Sequence, residues 1–213
     1  MIKRLKQGIK LIKYTYKLKP NIVVSIIFFV LGLTFLPEPG IGSVSCSIYW
    51  IIVGLMLTGI CSHINASAIV QSSPFKKTLQ ISIPVVLSLC YYTITYLLFL
   101  LIETLLWSVG EREQDPGVLV FYGLMAIVFM LYNNGYKMFE LATVFFCVAF
   151  LSLLWGGEQP IRQMLAGLSP WVAGIIGFGE ILLGALLQYC FALLTYRMPL
   201  SRRAIVRELR WWM

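Results

Sequence analysis

Three side chains in this sequence set ionisable chemistry in apolar surroundings: His63, Glu103 and Glu180. An ionisable group inside an apolar segment is a functional candidate by default, because a charge far from water is costly unless it is paired or used. His63 stands with Ser62 and Asn65 toward one end of its apolar run. Glu103 lies close to the end of another run, and Glu180 is the deepest of the three. For each, two readings stay open: a group lining a pathway, or a packing residue held by hydrogen bonds. No nucleophile stands beside a base, and a single histidine without an acidic cluster supplies no parts for hydrolytic or metal chemistry. The five cysteines, Cys46, Cys61, Cys90, Cys147 and Cys190, lack metal-ligand spacing and read as small apolar packing residues. No phosphate-binding loop, dinucleotide fingerprint or zinc-ligand cluster is present. Asn65-Ala66-Ser67 fits a glycosylation acceptor but falls within an apolar run, where it is not expected to act as one. The chain therefore reads as carrying no catalytic site, metal or cofactor of its own.

A second kind of chemistry, recognition, is written in the loop Gln71 to Gln80. It is short and basic. Ser72 or Ser73 can cap a helical turn, and Pro74 suits its first position. Phe75 and Leu79 are then four residues apart, on one face. An apolar knob beside Lys76 and Lys77 suits docking into a groove on a soluble partner. The plainer alternative is a charged turn. Between Gly156 and Pro170 lies a fairly apolar segment that reads either as a short helix dipping toward a membrane or as one resting on the headgroups.

The elements that position these residues follow from composition. The chain has 213 residues, 59% of them hydrophobic and only 12% charged. Its mean hydropathy is +0.84. A soluble domain has about 25% charged residues, so lipid must cover much of this surface. The expected fold is an all-α membrane protein with six transmembrane helices and an N-terminal amphipathic interface helix. The six apolar stretches run 21–36, 45–70, 81–107, 118–132, 138–155 and 171–196. Against the roughly 20 residues a span needs, with a range near 17–25, the first, fourth and fifth are short. Residues 1–19 place Ile2, Leu5, Ile9, Ile12 and Tyr16 on one helical face among seven basic residues, a pattern that lies in the membrane interface. Pro20 is expected to separate this helix from the first span. A signal peptide is not expected, given the length of the basic part and the lack of a small-residue cleavage site. Ala173, Gly177 and Gly184 permit close helix contact, either within the chain or in a dimer.

The net charge of +8 concentrates at segment ends. With the N-terminus inside, the inner segments hold the basic residues before Pro20, Lys76, Lys77, Lys137, and Arg197, Arg202, Arg203, Arg207 and Arg210. Outside fall Arg112 and Arg162, with Glu38, Glu111, Glu113, Asp115 and Glu158. Six spans, both termini cytoplasmic and a basic inner face agree with one another. Such charge points to anionic lipid headgroups rather than nucleic acid.

The order of parts resembles the membrane subunit of a small type-2 ATP-binding-cassette exporter. It runs from an interface helix through two spans, a basic loop near 72–80, three spans and an outer segment near 157–169 to a sixth span and a basic tail, 197–213. The resemblance covers nearly the whole chain as architecture and rests on no diagnostic signature. It implies that 72–80 is a coupling helix, with Pro74, Phe75, Lys76, Lys77 and Leu79 docking a cytoplasmic ATPase. ATP and magnesium would belong to that partner. A second permease, a copy or a relative, would complete the pore in a bacterial-type plasma membrane. The cargo class implied is a peptide, toxin or lipid-like amphiphile. The large outer domain of bigger members is missing. Two other classes remain open. The substrate-binding subunit of an energy-coupling-factor importer would use outer groups such as Glu103, Trp107, Trp155 and Trp171. An integral membrane enzyme would need more than His63 and Glu140.

Overall fold

The computed structural model describes residues 18–36, 42–66, 74, 76–110, 114–165 and 167–198. Among these residues every regular element is helical. In chain order they are α1 (Leu18–Phe35), α2 (Gly42–Ala66), α3 (Ile83–Val109), α4 (Gly117–Asn133), α5 (Phe139–Leu151), α6 (Glu158–Leu165) and α7 (Pro170–Tyr196). Four stretches are long and apolar enough to cross a membrane: α1, Gly42–Cys61 of α2, α3 with the turn before it, and α7. α4 and the stretch Glu140–Trp155 are apolar but shorter. The expected interface helix and basic tail fall mostly outside the described residues. Pro20 lies inside α1, in its first described turn; most of the interface helix it is expected to set apart lies outside the described residues.

Local chemistry sets the helix boundaries. Thr78–Ser82 forms a π-helical turn, with the Ile83 N–H reaching back to the Thr78 carbonyl. Pro84 follows it and has no N–H to give the Gln80 carbonyl, so a wider turn there costs little. Gly110 ends α3 at φ 75°, a left-handed conformation that favours glycine. Ser169 opens α7 by accepting from the Val172 N–H, with Pro170 at the first helical position.

Side-chain pairs fix how the helices run. Asn21 donates to the Met56 carbonyl, and Phe29 stacks on Trp50, so α1 and α2 are antiparallel. Tyr91 donates to the Trp50 carbonyl, while Leu79 and Ile83 share a cluster with Cys61, so α3 runs against α2. Thr95 and Tyr122 hydroxyls meet at 2.6 Å across the antiparallel α3–α4 pair. Tyr96 donates to the Gly174 carbonyl and Gln188 to Ser88, which sets α7 against α3. α4 and α7 are parallel, since Leu119 faces Gly177 and Ile127 faces Gly184. Phe129 meets both Phe146 and Phe150, folding α5 back on α4.

α4 is the central helix. Gly117–Gly123 is buried at every position, and Phe121, Tyr122 and Met125 are fully enclosed. A helix apolar all round is a buried one; here α2, α3, α5, α6 and α7 supply the cover. α1, α5 and one face of α7 instead present Val23, Ile26, Val144, Val148, Ile175 and Leu194 outward, as lipid-facing surfaces do.

α4 and α7 approach backbone to backbone. A β-carbon at Gly177 would stand 2.6 Å from the Leu119 carbonyl oxygen and press on the Tyr96 hydroxyl. One at Gly123 would stand 2.7 Å from the Gly177 carbonyl oxygen. The small-residue stripe of α7 thus serves packing within this chain. Gly177→Ala is expected to destabilise the fold by about 1–3 kcal/mol, as overpacking does. Gly59→Ala, where nothing lies within 4 Å, should be neutral or mildly stabilising. Thermal unfolding of both variants in the same detergent checks the pair; equal melting points would contradict the packing.

Candidate functional site

The alternating helices bring six ends together. The start of α1, the end of α2, the start of α3, the end of α4, the start of α5 and the end of α7 share one end of the bundle. Lys19, Lys76, Lys77, Lys137 and Arg197 are all there, with Glu140. The opposite end carries Asp115, Glu158 and Arg162, with Trp155 and Trp171 strongly exposed at 89% and 77%. Exposed tryptophans at a helix end suit a membrane–water boundary. α6 lies at this second end, with Ile161 and Leu165 against the core and Met164 outward.

At the lysine end the side chains interlock. Lys137 sits in the tight turn Gly135–Met138 between α4 and α5 and is buried. Its Nζ donates to the Thr195 carbonyl at 2.9 Å, the Tyr196 carbonyl at 3.1 Å, the Met198 carbonyl at 3.3 Å and Gln80 Oε1 at 3.3 Å. An ammonium has three hydrogens, so four acceptors must share them. Three of the acceptors are carbonyls at the end of α7, where the helix dipole is negative and a cation is favoured. The Tyr196 ring lies 5.9 Å from Lys137 Nζ and 5.7 Å from Lys76 Nζ. One turn deeper, Asn134 donates to the Gln188 carbonyl.

The sequence-derived docking residues part company here. Pro74 and Lys77 are exposed, and Lys76 is half-buried with its ammonium over the Tyr196 ring. Leu79 is turned inward at 3% exposure, with Cys61 and Ile83, and offers no knob to a partner. It was expected on an exposed face with Phe75. The described part of the loop is no separate helix either: Lys76 and Lys77 run straight through the π-turn into α3. Ser72, Ser73 and Phe75 lie outside the described residues.

The intramembrane candidates stay apart. His63 falls within α2 near the lysine end, and its side chain lies outside the described part. Glu103 is buried on α3, two turns beyond Tyr96 toward the opposite end. Glu180 is half-buried on α7 with its carboxylate against Gly123, and among the described residues nothing donates to its Oε2. No group of three or more His, Cys, Asp or Glu side chains suited to a metal occurs among the described residues.

Sequence reasoning counted Lys137 as one more inner charge. No signal in the sequence marks it, since its acceptors lie 57 to 61 residues away.

Fold and composition define the class: a membrane protein, helical in every regular element among the described residues. No protein-family profile, no curated protein and no solved structure matches the chain.

Burial first, and the nearby Lys76 second, push the Lys137 ammonium down from 10.5 to about 8. Between those values the unfolded chain keeps a proton that the folded chain has released. Folding therefore releases a proton in this window, and the fold gains stability from this group as pH rises from about 8 to 10.5. The melting point of the native chain should rise relative to that of Lys137→Met across this window. A constant difference between the two would show an ordinary lysine.

Proposed function

We propose that this chain is the membrane-spanning subunit of an ATP-driven exporter of the type-2 ATP-binding-cassette kind. In this reading six helices span the bilayer, α4 and α5 among them, and the lysine end faces the cytoplasm. A separate ATPase holds ATP and magnesium and docks at residues 74–77. A second permease, identical or related, completes the pathway, and the cargo is a peptide, toxin or lipid-like amphiphile.

The observation that carries the reading is the loop before α3. It presents Pro74 and Lys77 outward at the basic end, yet it continues without a break into the longest apolar stretch, Thr78–Val109. A push on such a loop is delivered along a whole helix rather than lost in a flexible linker. The chain would do no chemistry itself. It would supply two arrangements that bind the ATPase state and the cargo differently, and that difference alone can shift the balance between them. The order of parts along the sequence lends further support.

The test is copurification with an ATP-binding-cassette ATPase encoded beside it. The native chain should bind and stimulate the ATPase. Lys77→Glu, at an exposed position, should weaken binding about tenfold through loss of charge complementarity and leave helix content unchanged. A native chain that recovers no ATPase sinks the exporter reading. Orientation is checked separately. Lys77→Cys should react with a membrane-impermeant maleimide only in inside-out vesicles, and Ser108→Cys only in right-side-out ones. The reverse pattern would invert the topology.

A further inference from the structure

Most buried polar contacts in the bundle join two helices. Lys137 joins three separate parts of the chain through one atom: the α4–α5 turn that bears it, the end of α7 through three carbonyls, and the π-turn leading into α3 through Gln80. Its four acceptors form a cage for a cation, and the cation is tethered to a third element. Gln80 is itself 4% exposed, so its side chain is fixed by packing. Its Nε2 finds no acceptor among the described residues, which leaves the Lys137 link as the polar bond this side chain makes there. Residues 76 and 77 stand one turn before Gln80 on the same continuous stretch.

We infer that Lys137 is a positioning residue, a latch through which displacement of the 74–80 loop is passed to the end of α7. The inference rests on the exporter reading for what moves the loop, but not for the latch itself. Without Lys137 the loop still leads into α3, and its exposed docking residues are unchanged. What is lost is the second route, from the loop into α7. The latch must break or re-form in any arrangement in which α3 and α7 shift relative to each other at this end. Carbonyl acceptors accept any ammonium of the right size, so the cage should also accept one that is not tethered.

The experiment separates partner binding from partner stimulation. Lys137→Met, reconstituted in nanodiscs, should bind the ATPase within about twofold of native but stimulate it about tenfold less, a loss within the usual range of site–site coupling. Gln80→Met cuts only the loop link and should give a smaller loss of the same kind; it also serves if Lys137→Met folds poorly. With Lys137→Ala, ethylammonium should restore part of the stimulation, whereas tetramethylammonium, which has the charge but no N–H, should not. Full stimulation by both Lys137→Met and Gln80→Met overturns the latch. Rescue by the two cations alike overturns the cage. If the native chain binds no ATPase, the exporter reading fails, and the latch is judged by amide exchange. Lys137→Met should then speed exchange in 78–82 and in 192–198 together by about tenfold, the effect of losing hydrogen bonds to a charged group. Unchanged exchange in both segments would overturn it.

Discussion

The whole bundle depends on how closely α4 and α7 approach. The Gly177 backbone meets the Leu119 carbonyl, with the Tyr96 hydroxyl beside them. In lipid there is no hydrophobic drive for helices to associate, so contact depends on van der Waals fit and on polar bonds across the interface. The two glycines allow the first. The second comes from Tyr96 to Gly174, Thr95 to Tyr122 and Gln188 to Ser88, all reaching from or into α3. The three helices therefore form one unit, and α2 closes it by way of Trp50, Tyr91 and Tyr92. α1 and α5 are added outside.

That arrangement explains why the two halves of the molecule differ. The end with Trp155 and Trp171 is finished by a glycine cap, a serine cap and a short amphipathic helix, all local devices. The lysine end is finished by long-range bonds: Asn134 to Gln188, and Lys137 to Gln80 and the α7 carbonyls.

The helical class was legible from the low charge content, and the sorting of charges to one end was legible from alternation alone. Lys76, Lys77 and Arg197 had to share an end once the apolar runs were counted. Centrality was not legible. α4 reads as a short, weak span, because apolar sequence looks the same whether protein or lipid covers it. Leu79 was misjudged for a related reason. Its four-residue spacing from Phe75 describes a face, but only packing against Cys61 and Ile83 tells which way the face turns. Lys137 needed the tertiary fold, since its acceptors lie 57 to 61 residues away in sequence.

The parallel pairing of α4 with α7 also orders the protein's birth. A chain is made from its N-terminus, and its elements organise in that order. α4 is therefore made well before the surface it needs. Through the synthesis of α5 and α6, the groove around Gly123 waits without its α7 cover. Its filler arrives with α7, and with it Glu180, whose carboxylate comes to rest on that glycine. Assembly of this protein thus ends in a closing step rather than a gradual accretion, and a nascent chain truncated before α7 would present its own future core to the bilayer.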